Sequence, residues 1–221
     1  MTSLEFRDRL ARRTRRAKAP LTLGMLEPLE AYFRLLMQWN AKINLTALPL
    51  DAPTDETFDR LLVEPIAASR QIATQTASRL VDLGSGGGSP AIPMKIARPA
   101  LRLTMIESKE RKSAFLREAI RILGLADTTV LTERFEAVST MPEHSQMADF
   151  ATVRAVKADE ELFATTRALL KDGGSLLLFR PAHSASADPE GFKRVSTVPL
   201  IESPPSFLST YRRVFHVEQS R

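Results

Sequence analysis

The chain has 221 residues, 43% hydrophobic and 26% charged, enough for one folded α/β domain with an N-terminal extension. It contains no cysteine, which excludes disulfides, a thiolate nucleophile and Cys-ligated zinc. No apolar run approaches the ~20 residues of a membrane span and no secretory leader opens it, so the cytoplasm is the expected compartment.

The net charge of +5 sits entirely in residues 1–20. There Arg7, Arg9, Arg12, Arg13, Arg15, Arg16 and Lys18 face only Glu5 and Asp8, while the other 24 basic and 24 acidic residues cancel. Such a segment reads either as an arm that touches phosphates or as a solvated basic helix. Next, Tyr32, Leu35, Leu36 and Trp39 recur at helical spacing and predict a helix over Leu29–Trp39. Residues 40–49 read as an ordered loop, and 58–72 as a helix with Pro65 near a break. From Arg79 strands and helices alternate, the pattern of a parallel sheet. Strands are expected at 80–83, 101–107, 130–132, 149–153 and 175–179. Helices are expected at 90–97, 109–123 (ended by Gly124) and 159–170. Two tail strands, 194–201 and 211–217, suggest an antiparallel pair at one sheet edge, joined by Ser203-Pro204-Pro205-Ser206 as a linker. The expected division is an N-terminal basic and helical part, 1–75, packed as one unit with a domain over 76–221.

In such a sheet ligands lie beyond the carboxyl ends of the strands. The first strand runs into Asp82-Leu83-Gly84-Ser85-Gly86-Gly87-Gly88-Ser89-Pro90, where glycines permit positive φ and close approach to a ligand. An acid directly before this turn would repel a pyrophosphate but tolerate a sulfonium, which points to S-adenosylmethionine. Glu107, about 20 residues on, stands where a carboxylate accepts ribose hydroxyls; it could equally cap the following helix. Phe135, after the third strand, is a core aromatic or an adenine wall. Arg154 ends the fourth strand, where a functional arginine is more common than a packed one. The histidines His144, His183 and His216 are not spaced as a metal site, and there is no phosphate loop or nucleophile elbow.

Residues 82–96, Asp82 through Ile96, resemble the first motif of the bacterial RsmG (GidB) family, D-x-G-S/T-G-x-G-x-P-G-I-P-L-K-I. Upstream, Trp39-Asn40-Ala41-Lys42-Ile43-Asn44-Leu45-Thr46-Ala47 matches that family's W-N-x-x-x-N-L-T-A. Arg154-Ala155 and Arg212 also fit, and the likeness spans about residues 25–217. It implies a doubly wound, Rossmann-like S-adenosylmethionine-dependent methyltransferase that acts on N7 of one guanine in small-subunit ribosomal RNA; separately, a monomer is expected. It further implies cofactor contacts at Gly84, Ser89, Phe135, Glu136 and Arg154, to which the turn itself adds Asp82, Ser85, Gly86 and Glu107. Arg154 and Arg212 become the residues that orient the guanine, since arginine reads its O6 and N7 bidentately. Guanine N7 carries a lone pair and no proton, so alignment suffices and no general base is needed. The chain departs from the family pattern at Glu56 (near a usual histidine), at Arg60, at Ala91 and at Arg180-Pro181 (a usual lysine-glycine pair). Most departures fall on the substrate side. Two rival readings are a methyltransferase with another acceptor and a catalytically silent RNA-binding protein.

Overall fold

Apolar residues alternate between two faces of each central strand, and the fold follows from covering both faces. A computed structural model describes residues 1–72, 77–181 and 188–214. Its seven-stranded sheet has the order β3-β2-β1-β4-β5-β7-β6. The strands are β1 (Arg79–Leu83), β2 (Arg102–Ile106), β3 (Thr128–Leu131), β4 (Ala148–Val153), β5 (Leu170–Arg180), β6 (Phe192–Glu202) and β7 (Pro205–Arg213). The first five are mutually parallel, and β7 runs antiparallel between β5 and β6. Leu80, Leu103, Met105, Leu177 and Phe179 join one buried cluster, while Val81, Leu83, Ile106, Leu176 and Leu178 join the other. A parallel sheet is stable only when helices cover both sides in this way.

Helices α1 (Ser3–Arg16), α2 (Leu23–Asn40), α3 (Asp55–Phe58), α4 (Glu64–Ala68), α5 (Ala91–Ala97) and α6 (Glu110–Leu123) pack on the first face. The short α7 (Phe135–Ser139) and α8 (Glu160–Leu169) cover the second. The core therefore runs without a break from the N-terminal helices into the sheet.

The basic segment forms a packed helix. A Thr2–Glu5 capping box starts α1, and Phe6 and Leu10 are buried. Phe6, Phe33 and Phe58 meet as a triad with ring centroids 5.2–5.6 Å apart. Arg9 donates to Asp55 at 2.8 Å and Arg13 is paired with Asp59, so two of the seven cations serve to fasten α1 to α3 and the turn after it.

Two expected elements shift. Pro205 and Ser206, expected as linker, begin β7, because Ser203-Pro204 alone makes a tight hairpin after Glu202. The last strand thus starts six residues earlier than its apolar run suggests; the expected stretch 215–217 lies outside the described residues, as do His183 and His216. The expected helix 58–72 begins at Asp55, and a π turn (Asp59–Val63) separates α3 from α4. In that wider turn Glu64 N–H bonds back to Asp59 O. Pro65 has no N–H to return to Arg60 O. The Arg60 carbonyl is thereby free for a side chain, and the sheet supplies one.

Candidate active site

The carboxyl ends of β1, β4 and β5 open into a cleft of about 540 Å³, within the range of small-molecule sites. Its floor is the turn Gly84–Gly87 with Ser89. One wall comes from the N-terminal helices and loop through Leu45, Thr46, Leu48, Arg60 and Leu61. The other comes from Arg154, Ala155, Val156, Phe179 and Arg180. Local bonds fix each part. Asn40 Oδ1 accepts from both Leu45 and Thr46 N–H at 2.9 Å, folding the loop into the wall. Trp39 packs edge-on to Phe115, and Tyr32 donates to Gly87 O at 2.6 Å. Ala155 holds φ at +56°, a costly left-handed conformation for a non-glycine residue, so that the chain turns sharply after Arg154.

In the glycine turn Gly84 and Ser85 N–H both bond to Ile106 O, at 2.9 and 3.0 Å, tying the turn to β2. Gly86 has φ +51°, and a Cβ there would meet no neighbour closer than Gly84 O at 3.8 Å. Its backbone faces open cleft. Gly88, at φ +83°, differs: a Cβ would lie 2.5 Å from Ile92 Cδ1, so this glycine serves packing of the turn on α5.

Glu107 is 6% exposed and its carboxylate bridges two backbone donors, Gly86 N–H through Oε2 and Lys109 N–H through Oε1, each at 2.9 Å. The carboxylate thus ties the glycine turn to the entry of α6, and at the edge of the cleft its two oxygens retain further lone pairs. Asp82 is placed differently from the sequence expectation. It is 1% exposed behind the turn and is absent from the cleft lining. Thr152 Oγ1 donates to its Oδ1 at 2.6 Å, while Oδ2 is buried with no hydrogen-bond partner among the described residues.

Burial pushes the Asp82 carboxyl above the usual carboxylate range, opposed by the Thr152 bond and by Arg154. A group whose folded pKa is raised stabilises the fold fully below its unfolded value, near pH 4. That contribution is lost as pH rises through the folded value. Asp82→Asn is neutral throughout, so its stability relative to wild type is expected to improve as pH climbs from about 4. Urea denaturation at several pH values checks this; a flat or opposite trend would show that burial does not govern the group.

Arg154 is the most heavily engaged residue of the cleft. Its Nη1 donates to the freed Arg60 carbonyl and, at 3.3 Å, to Ser89 Oγ; its Nη2 donates to Glu64 Oε2 at 2.9 Å. The guanidinium stacks 4.4 Å from the Phe179 ring centroid, and Nε is buried with no hydrogen-bond partner among the described residues. Glu64, 1% exposed at its side chain, also pairs with Arg60 at 3.4 Å. Ser89 Oγ in turn donates to Leu61 O at 2.9 Å. Arg180, by contrast, lines the cleft with its guanidinium free of hydrogen bonds and ion pairs among the described residues.

Of the expected site residues, the structure brings Gly84, Ser85, Gly86, Ser89, Glu107 and Arg154 together. Phe135 packs half-buried on the second core cluster, and neither it nor Glu136 lines the cleft. Arg212 stands exposed opposite Ser175 of β5, itself level with Phe150 and Leu80. That is the amino end of the parallel strands, away from the cleft. The sequence reading omitted Glu64; a single glutamate in an apolar helix stretch, one residue before a proline, was the available signal.

The residues present fit a nucleoside bearing a sulfonium. The cleft has room, its apolar walls can take a base, Gly86 leaves space for close approach, and Glu107 presents acceptors suited to ribose hydroxyls. Fold and site together define the class: this is an S-adenosylmethionine-dependent methyltransferase. Solved structures of that architecture include an S-adenosylmethionine-dependent methyltransferase from Aquifex aeolicus (14% identity, TM-score 0.54, 69% of this chain and 91% of that one). Another is MtNAS in complex with MTA and tNA (14% identity, TM-score 0.58, 97% and 90%). The family model for GidB, rRNA small subunit methyltransferase G, matches residues 25–198, and the chain belongs to that family. Proteins named ribosomal RNA small subunit methyltransferase G from Xanthomonas campestris pv. campestris (strain B100) and Stenotrophomonas maltophilia (strain K279a) are 36% and 33% identical to it. The first alignment covers 78% of each chain, the second 83% of this chain and 84% of the relative. No helix among the described residues is long and apolar enough to cross a membrane.

Proposed function

We propose that the protein methylates N7 of a guanine in small-subunit ribosomal RNA, acting as a monomer in the cytoplasm. The observation that carries the reading is the Glu107-bridged glycine turn opening onto a cleft whose rim is arginine-rich, within a chain of this family. Bound S-adenosylmethionine supplies an electrophilic methyl group. Glu107 would hold its ribose, and the Gly84–Gly86 backbone would allow close approach.

The chain's own part in the reaction is alignment. Guanine N7 offers an in-plane lone pair without a proton, so no residue must act as base. Arg180, at the rim and without an ion pair among the described residues, is suited to the O6 and N7 acceptors. Arg154 acts differently, as a brace: already bonded to Arg60 O, Ser89 and Glu64, it sets the distance between the N-terminal wall and the sheet. Arg212 takes no part, given its position at the other sheet end. Transfer of labelled methyl to small subunits that lack the modification, followed by mapping of the N7 adduct, tests the reading. Label at a guanine N7 is the expected result; cofactor binding with no transfer to ribosomal RNA would overturn it.

A further inference from the structure

The six arginines of α1 and Lys18 just beyond it do not share one task. Arg7 lies 3.5 Å from Glu30, Arg9 pairs with Asp55, and Arg13 pairs with Asp59 and Asp55. Arg12, Arg15, Arg16 and Lys18 are exposed and make no ion pair among the described residues. At 100° per residue, Arg12, Arg15 and Arg16 fall within about a third of the helix circumference. Helix C-termini favour cations, but by only about 0.3–1 kcal/mol each at the surface. Like charges three and four residues apart, as in Arg12/Arg15 and Arg12/Arg16, oppose folding by comparable amounts. Arg12 adds a longer-range attraction to Asp55, but packing gives the accumulation as a whole no comparable partner among the described residues.

Its location supplies one. The end of α1 borders a second, smaller cleft, lined by Arg16, Lys18 and Arg70 and by the tip of β6 at Leu200, Ile201 and Glu202. Arg70 is locked there by donating to Lys18 O at 2.8 Å. Both Arg180 of β5 and Pro199 of β6 are opposite Phe207, so β6 ends at the sheet end that bears the active-site cleft. Two inter-strand spacings, about 10 Å, separate β5 from β6. A strand of RNA lying in the cleft and leaving past Arg180 toward β6 would run to this basic edge.

We infer that Arg12, Arg15, Arg16, Lys18 and Arg70 form a docking surface for the phosphodiester backbone of the RNA whose guanine enters the cleft. The inference rests on the proposed ribosomal RNA substrate. The surface lies largely ahead of the family match, which begins at residue 25. It would add sequence-independent affinity to a site that the family shares.

Removing residues 1–18 would strip Phe6 from Phe33 and Phe58, so charge substitution in the full chain is the sound test. The variant Arg12→Gln/Arg15→Gln/Arg16→Gln/Lys18→Gln should bind naked small-subunit ribosomal RNA at least tenfold more weakly at 0.15 M KCl. The slope of log Kd against log salt should fall by about 3. Affinity for S-adenosylhomocysteine should stay within twofold, reporting an intact fold. Unchanged RNA affinity and slope would overturn the surface, as would a loss seen with intact subunits but not with naked RNA, which marks a protein contact. Methyl transfer is scored separately. Wild type that transfers nothing yet shows the flattened slope on substitution removes the proposed activity and leaves the surface standing. Transfer with an unchanged slope does the reverse.

Discussion

Glu107→Ala is expected to weaken S-adenosylhomocysteine binding at least 100-fold. Hydrogen bonds to a charged group contribute about 1.5–3 kcal/mol each. Losing two ribose hydroxyl acceptors therefore costs about 3 kcal/mol or more, or two decades in affinity. The loss is compounded because the same carboxylate orders the turn: Gly86 and Lys109 N–H, each bonded to it at 2.9 Å, are released together. Glu107→Gln is a revealing companion. Both oxygens now accept from backbone donors, so a glutamine must aim its NH₂ at one of them, and it should bind little better than alanine. Calorimetry measures the affinities and thermal unfolding the residual fold. Affinity within threefold of wild type in a folded Glu107→Ala protein would remove Glu107 from the cofactor site.

The place of Glu107 at the cleft was legible in the sequence because it depends on distance along the chain: one turn, one crossover and one strand separate it from Asp82. The glycine turn was legible for a similar reason, since positive φ at Gly84, Gly86 and Gly88 is a local demand. Sheet order and the covered faces followed from strand–helix alternation. What escaped depends on register or on long-range pairing. Arg212 looked like a site residue because it lies in the last strand, but only the hairpin at Ser203-Pro204 decides how far along β5 it sits. The basic segment, which reads as an arm or as a solvated helix, is a packed helix because Phe6, next to Arg7, meets Phe33 and Phe58, and Leu10, next to Arg9, is buried with it. Asp82 was read as facing the ligand; its partner Thr152, 70 residues on, draws it behind the turn instead. Pro65 was seen as a helix break, yet its consequence, a carbonyl freed for an arginine 94 residues away, needs the fold.

That arginine carries the second large effect. Arg154→Ala should destabilise the protein by about 3 kcal/mol or more, because it leaves the Glu64 carboxylate buried with only the partly exposed Arg60 beside it. It also forfeits the stacking on Phe179, the bond to Arg60 O in the opposite wall and the bond to Ser89 in the floor. Arg154→Lys should recover little, since one ammonium cannot reach Glu64, Ser89 and Arg60 O in the planar fork that Arg154 uses. Burial pushes the guanidinium pKa down while Glu64 opposes it, but an arginine remains charged across the accessible pH range, so the brace itself should be insensitive to pH. A structural and a positioning role separate in the double variant Arg154→Met/Glu64→Met. Replacing both members of a buried pair with apolar side chains of similar volume is often neutral or stabilising, so most of the lost stability should return. Methyl transfer should not, because two methionines cannot replace the bonds that Arg154 makes to the Arg60 carbonyl and to Ser89, and the two walls lose that tie. Stability by urea denaturation and single-turnover transfer at saturating RNA give the comparison. Full recovery of both would reduce Arg154 to a packing residue. Recovery of stability alone makes the width of the cleft, held by one arginine between a π turn and a strand end, a determinant of the reaction.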